Sequence, residues 1–355
     1  MKNPKIMLAG ILLAVLGTAF YFNMSKHSDH QTAQKLYFYN WSEYITEEML
    51  KEFTDETGIE VILTTYDSNE VMYSKLKMLK GTGYDLVVPS TYYVRKLWQE
   101  NLIQPLDLSK ISNFKHIDVN FLDKSYDPKN KYSVPYIWGA TAIGVNKQFI
   151  DPASITSWKD LWKPEYKNKL LLMNDVREVF HVALKLNGHS VNSTNPKHIK
   201  QAYNRLKTLI PHVTVFNSDT PAIPFLSGEV EIGMIWNGSA YMAQKEDPNI
   251  QFIYPKEGPI LWMDNLSIPK RAENVEAAYA MINFLLRPDI AARISDTIGY
   301  PTANKSAKVY MNKDMANNPI IYPPEEIIKT SEFQDDIGDA AKIYDKYWQM
   351  LKTQQ

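Results

Sequence analysis

Apolar positions along the chain alternate between two periods. Residues 36–39, Leu-Tyr-Phe-Tyr, read as a strand and are followed by Asn40-Trp41-Ser42-Glu43-Tyr44. Thr46, Glu47 and Glu48 then make a helix opening, with Thr as N-cap and acids in the first turn. Met49, Leu50 and Phe53 give that helix an apolar face, and Gly58 stops it. Residues 59–64 predict a strand, and 68–80 a helix with Val71, Met72, Leu76 and Leu79 inward. Residues 85–89 predict a strand and 91–100 a helix. This repetition predicts an α/β fold with a mostly parallel sheet.

Residues 132–135 and 140–146 read as two strands near a crossing between lobes. A second α/β run follows. Strands are predicted at 170–173, 231–236 and 261–269, the last crossing back. Helices are predicted at 175–186, 200–210, 238–245, 275–286 and 290–298. The terminal helix, 339–352, places Ile343, Tyr347 and Leu351 on one face. Two α/β lobes with more than one crossover predict a hinged ligand cleft.

The first residues change the compartment. Lys2 and Lys5 precede an apolar run over 6–22, broken only by Gly10, Gly17 and Thr18. A basic start before such a run reads as an export signal within residues 1–30, or as an uncleaved N-terminal anchor. Residues 23–35 are polar and read as a linker.

Composition mainly excludes. The 355 residues suit about two domains, and 22% charged with 45% apolar residues is ordinary for a globular protein. Net charge is −1; Lys2, Lys5, Lys26 and Asp29 give residues 1–30 a charge of +2, which leaves −3 for the rest. Such a balance argues against a nucleic-acid partner, which calls for a clustered basic excess. The absence of cysteine excludes disulfides, thiolate metal sites and cysteine nucleophiles. The seven histidines have no metal-ligand spacing, and no phosphate loop or Gly-x-Ser-x-Gly elbow is present. No metal and no cofactor is implied.

Three predicted strand ends each present an aromatic with a hydroxyl or an amide. They are Asn40-Trp41-Ser42-Glu43-Tyr44, Pro89-Ser90-Thr91-Tyr92-Tyr93 and Trp236-Asn237-Gly238-Ser239. Any one of them alone is equally consistent with rings that cap a core. Carboxylates stand near two further strands. Asp175 and Glu178, three apart at a helix start, share one face, although Asp175 also suits a plain N-cap. Asp264 sits inside the apolar run 261–266 beside Trp262, where a buried acid needs a partner. Carboxylates attract ammonium groups, and aromatic faces cover methylenes and attract cations. Acids along an aromatic slot therefore fit a linear polycation. A carboxylate-pair glycoside hydrolase is the rival reading from another class.

The chain closely resembles the periplasmic spermidine/putrescine-binding proteins of bacterial ABC transporters. The resemblance rests on LYFYNWSEY at 36–44, YDLVVPSTYY at 84–93, VPYIWGATAIGV at 134–145, GMIWNGS at 233–239 and IGYPT at 298–302. It runs from about residue 36 to the C-terminus. It implies a two-lobed, type II-like periplasmic binding protein fold, without enzymatic activity, and crossover strands join the lobes. One lobe would comprise 36–139 and 263–308, the other 140–262 and 309–355. Trp41, Tyr44, Tyr92, Trp236, Trp262 and Tyr300 would wall the slot. Asp175, Glu178 and Asp264 would hold amine groups, with Glu43 adding acidity at one end. Ser42, where the family often has Thr, would join Ser90, Ser218 and Gln334 as polar partners. The closed, loaded form would dock on ABC permease subunits in the inner membrane. A polyamine sensor docking on a signalling receptor would use the same cleft.

Overall fold

The computed structural model describes residues 34–42 and 44–353. The expected export signal and Glu43 lie outside them. Strands β1 (Lys35–Trp41), β2 (Glu60–Tyr66) and β3 (Leu86–Val87) form a parallel sheet in the order β2-β1-β3. Between β1 and β2 runs the helix Glu47–Thr57, capped by the Thr46 side chain and ended at Gly58, whose φ is 73°. The next helix, Asn69–Met78, buries Met72 and Leu76, but Val71 is 49% exposed, against expectation. At about 100° per residue, Asn69, Met72 and Leu76 share a stripe and Val71 falls opposite it.

The second sheet contains β4 (Val134–Asn146), β5 (Leu170–Leu172), β6 (Val213–Phe216), β7 (Ile232–Trp236), β8 (Ile250–Ile253), β9 (Ile260–Leu266) and β10 (Glu332–Phe333). Its order is β10-β9-β4-β7-β5-β6, with β8 also on β4. The two strands expected at 132–135 and 140–146 are one buried strand with a register shift between Pro135 and Ile137. β6 and β8 were not anticipated; each has four residues and only partial burial, so neither leaves a strong period. The terminal helix Ala341–Lys352 buries Tyr344, Trp348 and Leu351, with Ile343 and Tyr347 at the margin of that face.

Two large apolar cores flank β4 and β9. One gathers Phe38, Phe53, Leu86, Ile137 and Met281; the other gathers Trp158, Leu170, Phe180, Ile232 and Tyr344. β4 serves both, with Val134 and Ile137 in the first core and Ile143 and Val145 in the second. Trp236 packs against both. β9 runs antiparallel to β4 and then meets the first sheet, where Val87 and Ser267 exchange two backbone hydrogen bonds of 2.9 Å. These two strands are the crossovers expected from the chain.

Asp85 ties the return segment to the first sheet. This buried carboxylate accepts from the backbone N–H groups of Tyr37 (2.9 Å), Glu273 (3.0 Å) and Asn274 (2.8 Å), and from the Asn274 amide (3.0 Å). Removing it takes the acceptor from four partly buried donors at once. Asp85→Ala should lower the unfolding free energy by about 3 kcal/mol in urea denaturation. A loss below about 0.5 kcal/mol would contradict this role.

Candidate functional site

Between the cores lies a cavity of about 450 Å³. Ends of strands feed it, as expected in open α/β sheets. Trp41 closes β1, Ser90 and Tyr92 follow β3, Asp175 and Glu178 follow β5, and Trp236 closes β7. Trp262 and Asp264, two apart on β9, point to one face. Ser42, Tyr44, Ser218, Tyr300 and Gln334 complete the set. Every residue nominated from the sequence lines this cavity, except Glu43, which lies outside the described residues.

Five of the six nominated aromatic residues form a continuous row, and the sixth, Tyr92, packs on Tyr93 with ring centroids 5.2 Å apart. Ring centroids are 6.2 Å apart for Trp41 and Tyr44, and 5.8 Å for Tyr44 and Tyr300. The row continues through Tyr300 and Trp262 at 5.4 Å, and Trp262 and Trp236 at 6.3 Å. Two glycines permit this packing. A Cβ on Gly139 would sit 2.3 Å from the Trp262 ring, and one on Gly238 would sit 2.5 Å from the Tyr300 ring. Hydrogen bonds hold the row in place. Trp41 donates from Nε1 to the Val88 carbonyl at 2.9 Å, and Ser239 Oγ bonds Tyr300 OH at 2.9 Å.

The acids are buried within this wall. Asp264 is 2% exposed. Its Oδ2 accepts from Tyr44 OH at 2.7 Å, and its Oδ1 accepts from Ser90 Oγ. No lysine or arginine pairs with it among the described residues. Burial pushes its pKa up to about 7, and the two hydroxyl donors oppose that rise.

Asp175 is the N-cap of the helix Val176–Leu186. Its Oδ1 accepts from the N–H groups of Arg177 (2.8 Å) and Glu178 (3.0 Å), and its Oδ2 accepts from Tyr92 OH (3.0 Å). The plain N-cap and the site residue are thus the same side chain. Burial raises its pKa against these donors and the nearby Arg177 charge. Glu178 accepts from Gln334 Nε2 at 2.9 Å through Oε1, while its buried Oε2 has no hydrogen-bond partner among the described residues. Burial, then the Asp175 charge, push the Glu178 pKa up to about 8; a loose approach by the Thr141 hydroxyl opposes the rise without a hydrogen bond of good geometry.

Arg177 is buried beside these acids but is turned elsewhere. Its guanidinium donates to His181 Nε2 (3.3 Å), Asn192 Oδ1 (3.0 Å) and the Asp335 carbonyl (3.1 Å). Among the described residues, none of the three buried carboxylates, Asp264, Asp175 and Glu178, is in an ion pair with a lysine or arginine, and Arg177 acts on the latter two only through its nearby charge. Ser218 supports the rim, accepting from the Asn174 N–H at 2.8 Å.

Several lining residues were not nominated from the sequence. Tyr66 packs 4.7 Å from Trp41, and Ile223 and Met242 add apolar wall. Asn69 is 1% exposed and bonds both Ser90 and Tyr92. A signal for it existed: the inward stripe through Met72 and Leu76 extends back to position 69, where an asparagine is out of character. Among the described residues no group of three or more His, Asp or Glu side chains could hold a metal ion.

The carboxylate pKa shift has a stability consequence. The ordinary Asp264 pKa is 3.8, and the folded value is about 7. Between these values the folded chain holds a proton that the unfolded chain releases, so ligand-free stability falls as pH rises through that window. The full penalty, present above pH 7, is on the order of 4 kcal/mol. Asp264→Asn should remove it. Its melting temperature relative to wild type should therefore climb from about pH 4 to about pH 7 in ligand-free scans and level off above that. A difference flat with pH would contradict the assignment.

A family model for bacterial extracellular solute-binding proteins matches residues 48–323. The chain is 54% identical over 342 residues to the spermidine/putrescine-binding periplasmic protein of Escherichia coli (strain K12), covering 96% of this chain and 97% of that one. It is 33% identical over 361 residues to a putrescine-binding periplasmic protein of Pseudomonas aeruginosa (strain UCBPP-PA14), covering 96% and 97%. The solved structure of a putative spermidine/putrescine ABC transporter from Listeria monocytogenes superposes with a TM-score of 0.86 at 35% identity, covering 91% of this chain and all of that one. These likenesses run through both cores and the cleft between them, and the chain belongs to the bacterial extracellular solute-binding protein family.

Proposed function

We propose that this chain captures linear polyamines, spermidine and also putrescine, in the periplasm and delivers them to an ABC permease. The observation that carries the reading is Asp264: a fully buried carboxylate with hydroxyl donors but no cation among the described residues, set in a row of aromatic rings. An arriving ammonium supplies the missing charge. Charge-assisted hydrogen bonds of this kind contribute roughly 1.5–3 kcal/mol each, and cation–π contact adds about 0.5–2 kcal/mol. Methylenes between amines lie along Trp41, Tyr44, Trp262 and Tyr300. Asp175 and Glu178 hold amines from the other core's side, and Glu178 Oε2 has an open acceptor for one. A neutral sugar satisfies the rings but leaves the acids unmatched.

The protein binds and releases; it does not catalyse. The sites of Asp175 are committed to the helix start and to Tyr92, which suits a fixed counter-ion rather than a proton shuttle. The proposed lobes are 36–139 with 263–308, and 140–262 with 309–355. Met311 and Ala316 pack on Ala291 and Ala292, which argues for moving that stretch into the first lobe. Closure about β4 and β9 brings the walls together, and the closed form docks on the permease. Export by residues 1–30, retained or removed, accords with the periplasmic names of the relatives.

Calorimetric titration of the soluble chain with spermidine, putrescine and a neutral oligosaccharide tests this. Heat with either amine and none with the sugar is expected, and Asp264→Asn should weaken spermidine by more than about tenfold. Sugar binding without an amine response would overturn the reading; an unchanged affinity in the variant would make Asp264 structural.

A further inference from the structure

Asn69 sits behind the cleft at the first turn of the helix Asn69–Met78 and carries no charge. Its amide joins the two halves of the site. Oδ1 accepts from the backbone N–H of Ser90 at 3.1 Å. That N–H can only donate, so it fixes which end of the amide is oxygen. Nδ2 then spends its two protons on Ser90 Oγ at 2.9 Å and Tyr92 OH at 3.0 Å. Each hydroxyl, having received a proton there, has one proton of its own to place. Ser90 Oγ places it on Asp264, and Tyr92 OH places it on Asp175.

We propose that Asn69 is a positioning residue that sets the direction of these two hydroxyls, so that Asp264 and Asp175 are both held as hydrogen-bond acceptors ready for an ammonium group. The inference rests on the polyamine reading of the cleft. The chain Asp264–Ser90–Asn69–Tyr92–Asp175 is continuous, and all its members are buried. A hydroxyl held as a donor stabilises the ionised carboxylate more than the protonated one, and so opposes the rise that burial causes. With Asn69 in place that donor cannot turn away, because turning a hydroxyl around would set it against an amide N–H. Without Asn69 the hydroxyls are free to turn and accept, and the acids are free to take up protons and lose their attraction for amines. One neutral side chain thereby biases both anchors together, across two cores.

Other groups bear on the same carboxylates and must be carried through any pH comparison. Tyr44 and Tyr66 face Asp264, whereas Glu70, Tyr92, Tyr93, Arg177, Glu178 and Asp345 face Asp175. All are retained in an Asn69 variant, so a change in pH profile reports on the amide.

Asn69→Asp is the sharpest variant, because it keeps the shape, adds negative charge and removes both donors. Simple electrostatics predicts tighter binding of a polycation. The present inference predicts the reverse, since both hydroxyls turn toward the new carboxylate and leave the anchors. Spermidine affinity, measured by calorimetry at about pH 6, 7 and 8, should fall at least about tenfold at pH 7, with a steeper loss toward pH 6 than in wild type. Asn69→Leu should show the same direction. Carboxyl carbon NMR of Asp264 in the ligand-free chain gives an independent reading, and its titration midpoint should rise by about one pH unit or more in either variant. Folded variants with wild-type affinity, or a gain in Asn69→Asp, would overturn the inference, as would an unmoved midpoint. A wild-type chain that binds no polyamine would overturn the functional reading instead, and the NMR midpoint would still decide the role of Asn69.

Discussion

A carboxylate taken out of water without a cation is a cost that a fold carries only where it serves some purpose. Among the described residues, three buried carboxylates line one cavity without an ion pair, although the Arg177 charge lies near two of them. Asp264 leans on Tyr44 and Ser90, Asp175 on a helix start and Tyr92, and Glu178 on Gln334. These donors lessen the desolvation cost but do not cancel it, as the raised pKa values of all three acids show. The remainder is a standing deficit of positive charge in an apolar enclosure. On the proposed reading, affinity for amines follows from that deficit, and so does discrimination against neutral ligands.

The placement of the acids couples the ligand to the arrangement of the cores. Asp264 rides on β9, which together with β4 connects one core to the other. Asp175 and Glu178 belong to a helix packed in the second core. Tyr92, from the first sheet's side, reaches Asp175, and Thr91 Oγ1 donates to the Gln334 carbonyl at 2.7 Å. On the proposed reading, a polyamine bridging these acids would favour the closed arrangement by the difference between its contacts in the closed and open forms.

Much of the site was legible from local pattern. Strand ends carrying an aromatic and a hydroxyl are visible in a sequence, because a strand-to-helix turn places them at a sheet edge whatever the rest of the chain does. The acid in the run 261–266 and the pair Asp175 and Glu178 were legible for a similar reason: charge in an apolar setting requires an explanation. What escaped was nonlocal. Asn69 earns its place only through Ser90 and Tyr92, some twenty residues away. Gly139 matters only because the Trp262 ring lies over it. The sequence predicts two strands at 132–135 and 140–146, whereas a register shift between Pro135 and Ile137 and the close packing of the Trp262 ring on Gly139 carry a single β4 through the gap. Val71 departs from its expected inward position because four apolar residues in one helix do not all fit its buried stripe.

The most direct measurement is the number of protons exchanged when spermidine binds. Calorimetry at about pH 7 in buffers of different ionisation enthalpy yields it. Carboxylates held partly protonated by burial must ionise as ammonium groups arrive, so the account predicts net proton release of roughly one or more per spermidine. Tight binding with no net release would mean that the acids are already charged and matched in the empty cleft, and would contradict it.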